Sequence, residues 1–411
     1  MQSPVSGKKI GKEQWLQIIS NKKLKNRERF KSIRVKSGFI DNSYEMFSTS
    51  FQSEVGENPS EMIQLVLDNR ENILPGFIDS LFFGVWTSEH LEEINAKQLD
   101  EMFEAFPCDL VTHRALYFLG IIEKMNSVVW SSNVISQIKT LAINHINPEL
   151  EEQNIASLEE KEMRSCQGLY SHASNCVRGC AAKTIGNLLW KNPNLFIQFR
   201  EVIEKLSLDE NSAVRFDVLY ALWPSYNIER EWAEEKIINI YESDIRTVSF
   251  SDSKNMFLLL YLKYKKRILN IIERCFNDSD KDLIEVGGHA ICEFYIQHGN
   301  FEKIISNVET LNEEQIKSVL EMAIPYMVSD EYRELAKTII LSCINSNIDL
   351  EFPVIQIFDK EYIKLEDDRT FLHEVMSSKI SKRIVWSFVH YLEENALSIV
   401  DYADIIIQNH L

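Results

Sequence analysis

Five cations, Lys22, Lys23, Lys25, Arg27 and Arg29, follow a tryptophan, Trp15, near the start of the chain. Cations that neutralise phosphates beside a ring that can stack on a base are the combination that grips single-stranded nucleic acid. His172, Cys176 and Cys180 are spaced by four, which places them on one helix face where three such ligands could hold zinc. No fourth ligand lies nearby, and the two thiols read as small packing residues, so no metal is expected. Gly179-x-x-x-Lys183-Thr184 mimics a phosphate loop, yet Ala182 stands where that motif needs a glycine, and Gly7-Lys8-Lys9 has no upstream glycine partner. Neither an H-E-x-x-H pair nor a G-x-S-x-G elbow occurs. Adjacent carboxylates such as Glu151-Glu152, Glu159-Glu160 and Asp367-Asp368 are common in so acidic a chain and read as solvated faces. No catalytic residue and no cofactor are expected, and the chain reads as a non-enzyme.

The body that would carry these groups is acidic. Among 411 residues, 62 Asp and Glu outnumber 44 Lys and Arg, for a net charge of −18, which disfavours phosphate backbones and anionic lipid over most of the surface. The distribution is uneven, because residues 1–36 hold eleven cations against Glu13 and Glu28. Such a basic arm docks on the acidic body or on a neighbouring domain, with nucleic-acid contact as the alternative. Seven scattered cysteines with no framework spacing are consistent with reduced thiols and a cytoplasmic location. The longest apolar run, Met256 to Leu262, is far shorter than the roughly 20 residues a membrane span needs, so no membrane association is expected.

Glycine and proline together number 22, and Asn-Gly and Asp-Gly do not occur, which argues against hairpin-rich β architecture. Helix starts recur instead. Asn58-Pro59-Ser60-Glu61 reads as a cap with proline in the first turn, Asn312-x-x-Gln315 as a capping box, and Asn192-Pro193 as another start. Behind them the apolar residues fall at helical spacing, as in Val177, Ala181, Ile185 and Leu188, or Val214, Val218 and Leu222.

The informative feature is an internal repeat. Asn175-Cys176-Val177-Arg178-Gly179 returns, aligned on its Val-Arg pair, as Asn211-Ser212-Ala213-Val214-Arg215. Fainter copies follow at Asp278-Ser279-Asp280 and at Ser329-Asp330-Glu331-Tyr332-Arg333. A polar turn, an arginine and a helix of small residues suit stacked helical pairs, in which Gly179, Ala181, Ala182 and Gly186 permit close approach. Asn175, Arg178, Asn211 and Arg215 are read as a structural ladder, with Arg178 and Arg215 pointing along the stack into adjacent turns. The expected fold is all-α, a HEAT-like α-solenoid forming a right-handed superhelix of antiparallel helix pairs. Residues 1–36 are expected as the arm, 37–160 as an N-terminal helical region and 161–411 as the repeats.

Two stretches carry a family resemblance. Ser3-Pro4-Val5 with Gly11-Lys12-Glu13-Gln14-Trp15-Leu16 is one, and the run from Asn175 to Leu189, followed by Asn192-Pro193 and Ala213-Val214-Arg215, is the stronger. On these residues the chain resembles the C-terminal helical-repeat region of bacterial STAND/NACHT-type NTPases of anti-phage defence. The resemblance implies a sensor or scaffold whose partner is a protein, either an NTPase or effector subunit or a phage protein. A nucleic-acid-binding repeat protein using Trp15 and the basic arm is the alternative. Of the seven tryptophans, any that is exposed is a candidate partner contact.

Overall fold

The computed structural model describes residues 10–24, 32–35, 38–41, 44–108, 111–125, 128–149, 165–346, 350–359, 362–395 and 397–407. They are helical almost throughout, as expected, apart from one antiparallel hairpin of β1 (Ser32–Val35) and β2 (Gly38–Asp41), with Ser32 opposite Asp41 and Val35 opposite Gly38. The chain divides into two compact units, Met1–Ile240 and Tyr241–Leu411. The expected boundary at 160/161 lies outside the described residues and within the first unit.

The first unit contains α1 (Lys12–Ile19), α2 (Tyr44–Glu57), α3 (Pro59–Asp68), α4 (Pro75–Thr87), α5 (Ala96–Ala105), α6 (Thr112–Lys124) and α7 (Ser132–Asn144). It continues with α8 (Cys166–Ala173), α9 (Val177–Lys191), α10 (Phe196–Ser207), α11 (Ser212–Tyr226) and the start of α12 (Arg230–Ser243). Alternate helices are neighbours. One layer runs α2, α4, α6, α9, α11, and the other runs α1, α3, α5, α7, α10. This is the solenoid arrangement: each hairpin buries one flank within itself and needs the next to cover the other.

Local chemistry starts and stops these helices. Ser131, Ser165 and Asn211 each accept a hydrogen bond from an amide in the following turn, and Pro59 and Pro75 open helices where a proline loses no bond. Asn58 departs from expectation. Its side chain donates to Glu54 at 2.9 Å and does not cap α3, so proline alone supplies the start signal. Between the layers, large rings fill the space: Trp15 meets Phe51 edge-on at 5.4 Å, Phe51 meets Phe77 at 5.6 Å, and Phe103 meets Phe118 at 4.7 Å.

The second unit repeats the scheme with α13 (Ser253–Phe276), α14 (Lys281–His298), α15 (Glu302–Ile305), α16 (Glu313–Ala323) and α17 (Arg333–Ile344). It ends with α18 (Glu351–Asp359), α19 (Arg369–Ser377), α20 (Ser381–Glu394) and α21 (Ala403–Ile407). Here α14, α16, α18 and α20 form one layer and α17, α19 and α21 the other, while α13 packs along α14. Both faint repeat copies open helices, Asp280 capping α14 and Arg333 starting α17. The capping box of Asn312 and Gln315 is formed in both directions at 3.0 Å.

The small residues of α9 set the spacing in the first unit. A Cβ on Gly186 would lie 2.6 Å from the Tyr220 carbonyl carbon and 2.9 Å from the Ala221 nitrogen, both backbone atoms of α11. Helix propensity alone makes Gly→Ala stabilising by about 1 kcal/mol. Against rigid backbone the sign reverses, so Gly186→Ala is expected to destabilise the protein by about 1–3 kcal/mol, read as a fall in urea midpoint.

Candidate functional site

The groups with chemical potential divide between those that hold the repeats together and those left facing solvent. Arg178, in the first turn of α9, donates to both carboxylate oxygens of Asp209 at 2.9 and 3.1 Å and to the carbonyls of His145 and Pro148 at 2.9 Å each. It bridges the turn before its own hairpin and the turn after, as the ladder reading expected. In the second unit Arg333 holds the same position in α17. It donates to Asp368, 35 residues on, to the Tyr362 carbonyl at 3.0 Å and to the Met327 carbonyl, so Asp368, expected on a solvated face, is instead a buried ion-pair partner.

The other ladder residues behave differently. Arg215 donates to the carbonyls of Asp209 and Glu210 at 2.6 and 3.0 Å and to Ser212 at 2.9 Å, so it braces its own turn and does not reach a neighbouring one. The aspartate about one repeat further on, Asp244, is paired with Arg246 of its own turn at 2.5 Å. Asn211 does link turns: its carbonyl oxygen caps α11 while its amide donates to the Glu149 carbonyl at 2.8 Å. Asn175 is exposed and donates within its own turn to Ser171, and the equivalent cap on Val177 comes from Asn147 at 2.8 Å. Asn147 escaped sequence reading because it lies 30 residues away from the amide it caps.

Of the arm residues, Lys22 and Lys23 are exposed, and Lys25, Arg27 and Arg29 lie outside the described residues. Trp15 is a correction. Its ring is 0% exposed, packed edge-on to Phe51, and is a core residue unable to stack on a base. The amphipathic pattern of α1, with Ile19 buried four residues later, was the available signal. Glu151, Glu152, Glu159 and Glu160 also lie outside the described residues.

His172, Cys176 and Cys180 do not converge on a shared point among the described residues. Cys176 is buried with its thiol against the Ala173 carbonyl, and burial pushes its proton affinity well above the ordinary thiol value. Burial, reinforced by Asp217 and Glu123, likewise lifts Cys180 to about 12. Such thiols are protonated and unreactive at neutral pH. The Gly179-to-Thr184 segment is helix interior, and Lys183 is paired with Glu123 at 3.1 Å.

Asp217 is the most perturbed carboxyl. It is buried in α11, one of its oxygens has no hydrogen-bond partner, and a Cβ on Gly179 would lie 2.9 Å from that oxygen. Burial raises its pKa to about 7, against the opposing pull of Lys183 and with a further push from Glu123. In the second unit, burial and the Lys254 ammonium depress His289 to about 4, so the ring is neutral and accepts from Lys254 at 2.5 Å through Nδ1. Lys254, His289 and Glu321 come from α13, α14 and α16, with the Glu321 carboxylate 3.7 Å from His289 Nε2. Two clefts open on the layers, one of 320 Å³ lined by Tyr44, Glu45, Ser48 and Tyr117, and one of 570 Å³ lined by Glu334, Leu341, Asp367 and Phe371.

Sequence reading also missed a run on α13. Lys263, Lys265, Lys266 and Arg267 surround Tyr264, and Leu262 beside them is 88% exposed. The signal was in plain view as a cation run with interleaved aromatics in an acidic chain.

Family models, curated proteins and solved structures return no match to this chain. Its function therefore has to be argued from the geometry above. No helix among the described residues is long and apolar enough to cross a membrane.

The buried carboxyl makes a signed prediction. Between an ordinary carboxyl value near 4 and about 7, folded Asp217 holds a proton that the unfolded chain releases, so stability falls as pH rises through that window. Above the window the penalty is constant, and below it there is none. Asp217→Asn removes the titration, and its stability relative to the wild type is expected to improve by about 2–4 kcal/mol from about pH 4 to about pH 8 in urea unfolding. A pH-independent difference would contradict the assignment.

Proposed function

We propose that the chain is a non-enzymatic helical-repeat scaffold or sensor that binds a protein partner, in the setting the repeat resemblance implies, bacterial anti-phage defence. The observation that carries this reading is a set of large apolar side chains presented to solvent by helices whose opposite faces are anchored in the core. On α20, Ile384, Phe388 and Leu392 are buried while Trp386 is 76% exposed. Trp190 on α9 and Ile197 on α10 are exposed in the same way. Partner contacts concentrate their energy in such aromatic anchors, whose truncation costs about 2 kcal/mol or more. The non-enzymatic part of the proposal is supported by the fate of the nucleophiles and acids: the thiols at 176 and 180 are held protonated inside inter-helix packing, and Asp217 is sealed between α9 and α11.

Affinity capture from the native cells, with and without phage challenge, tests this. A protein recovered by the wild type and reduced about tenfold or more by Trp386→Ser is the expected result. Recovery of no specific protein, or recovery indifferent to that substitution, would count against the proposal.

A further inference from the structure

Helix α13 differs from the rest of the chain in charge and in backbone. Its 24 residues carry six Lys or Arg against the single Glu273, in a protein with 18 more acidic than basic side chains. Its path breaks at Tyr264, where φ is −117° and ψ is 32°. On either side of the break the apolar faces are conventional, with Phe257 and Leu260 buried before it and Ile268, Ile271 and Ile272 after it. The break itself displays Leu262, Lys263, Lys265 and Lys266 to solvent.

The break is braced. Arg267 makes a two-point ion pair with Glu242, its Nε and terminal nitrogen at 2.7 and 2.6 Å from the two carboxylate oxygens. Lys263 and Arg267 lie over the Tyr264 ring at 5.2 and 5.9 Å, and Lys265 lies over Tyr261 at 5.3 Å. Tyr261 is stacked in turn on His298 and accepts from Asn300 at 2.7 Å. A geometry held by this many contacts is a fixed platform, with side-chain entropy already lost before anything binds. Among the described residues neither Lys265 nor Lys266 has a carboxylate within ion-pair distance.

We propose that the break in α13 is a docking surface for an acidic polypeptide segment that carries an apolar anchor. The proposal rests on the protein-binding reading above and names the surface and the partner's chemistry. Charge complementarity requires an anionic occupant. The tyrosine rings are already covered by cations or by His298, which leaves no open platform for a nucleobase, and the exposed apolar group is an aliphatic leucine, which calls for an apolar side chain. An extended anionic surface, whether a bilayer or a nucleic-acid duplex, would also meet the chain's excess carboxylates, whereas a short acidic segment fits within the basic patch.

The probe is a short fluorescein-labelled peptide alternating glutamate with leucine, titrated with the full chain and read by anisotropy. Saturable binding that weakens with added salt is expected, falling about tenfold or more in the double variant Lys265→Glu, Lys266→Glu and several-fold in Leu262→Ser; the melting temperature is unchanged in Leu262→Ser, whose side chain is exposed, and only slightly lowered in the double variant, which also loses the Lys265 contact with Tyr261. Absence of binding, or equal binding by the charge-reversed variant, overturns the proposal. So does tighter, Lys265- and Lys266-dependent binding to phosphatidylserine vesicles or to oligothymidylate. Affinity capture of a partner that is indifferent to these variants would overturn this surface and leave the scaffold reading standing.

Discussion

An arginine in the first turn of one helix, closed on an aspartate about one repeat further along the chain, is the interaction on which the arrangement of hairpins depends. Arg178 with Asp209 and Arg333 with Asp368 are separated by 31 and 35 residues. Burial in itself opposes ionisation of Asp368, but hydrogen bonds from Arg333 and Lys337 outweigh it and hold the carboxyl below its ordinary value. Apolar burial supplies most of the stability and is indifferent to small slips of one helix pair along the next. A buried, forked ion pair is not indifferent, because losing one partner strands the other charge at a cost of about 3–5 kcal/mol. We read the arginine pairs as the element that fixes register, with glycines such as Gly186 setting how near the helices come.

On the proposed scaffold reading, this division of labour accounts for where a partner would bind. Arg178, Asp209, Asn211, Arg333 and Asp368 are used at the turns to join one repeat to the next. Cys176 and Cys180 sit in the packing of α8 and α9, where burial raises their proton affinity. What remains for a partner is the outer face of individual helices, and there the notable groups are isolated apolar side chains and the cation run of α13. Specific recognition by such a surface follows from the fixed spacing of a few anchors and needs no deep cavity.

The extent to which this was legible follows from how far each interaction reaches. The helical class, the box at Asn312 and the small-residue face of α9 are written within a few residues, and local pattern reading finds them. The Val-Arg pair was visible as a repeat, and for Arg178 its meaning was right. For Arg215 it was wrong: the arginine closes on carbonyls of its own turn, while the aspartate one repeat on, Asp244, is held by its neighbour Arg246, a pairing that the Val-Arg repeat does not encode. Asn147 capping Val177 and Glu149 receiving Asn211 are long-range. Trp15 was misjudged for a different reason: a ring next to cations was read by composition, when its position on α1 already placed it on the buried face. The α13 cations were local and were overlooked because the arm at the start of the chain held a larger share of the positive charge.

The most direct test is a double-mutant cycle on Arg333 and Asp368, using Arg333→Met and Asp368→Asn singly and together in urea unfolding of the full chain. If the arginine-to-aspartate pair fixes the register of successive hairpins, the two substitutions are strongly non-additive, with a coupling of about 1–3 kcal/mol. Additivity within about 0.5 kcal/mol would mean that each side chain acts alone and that hydrophobic packing sets the register without it.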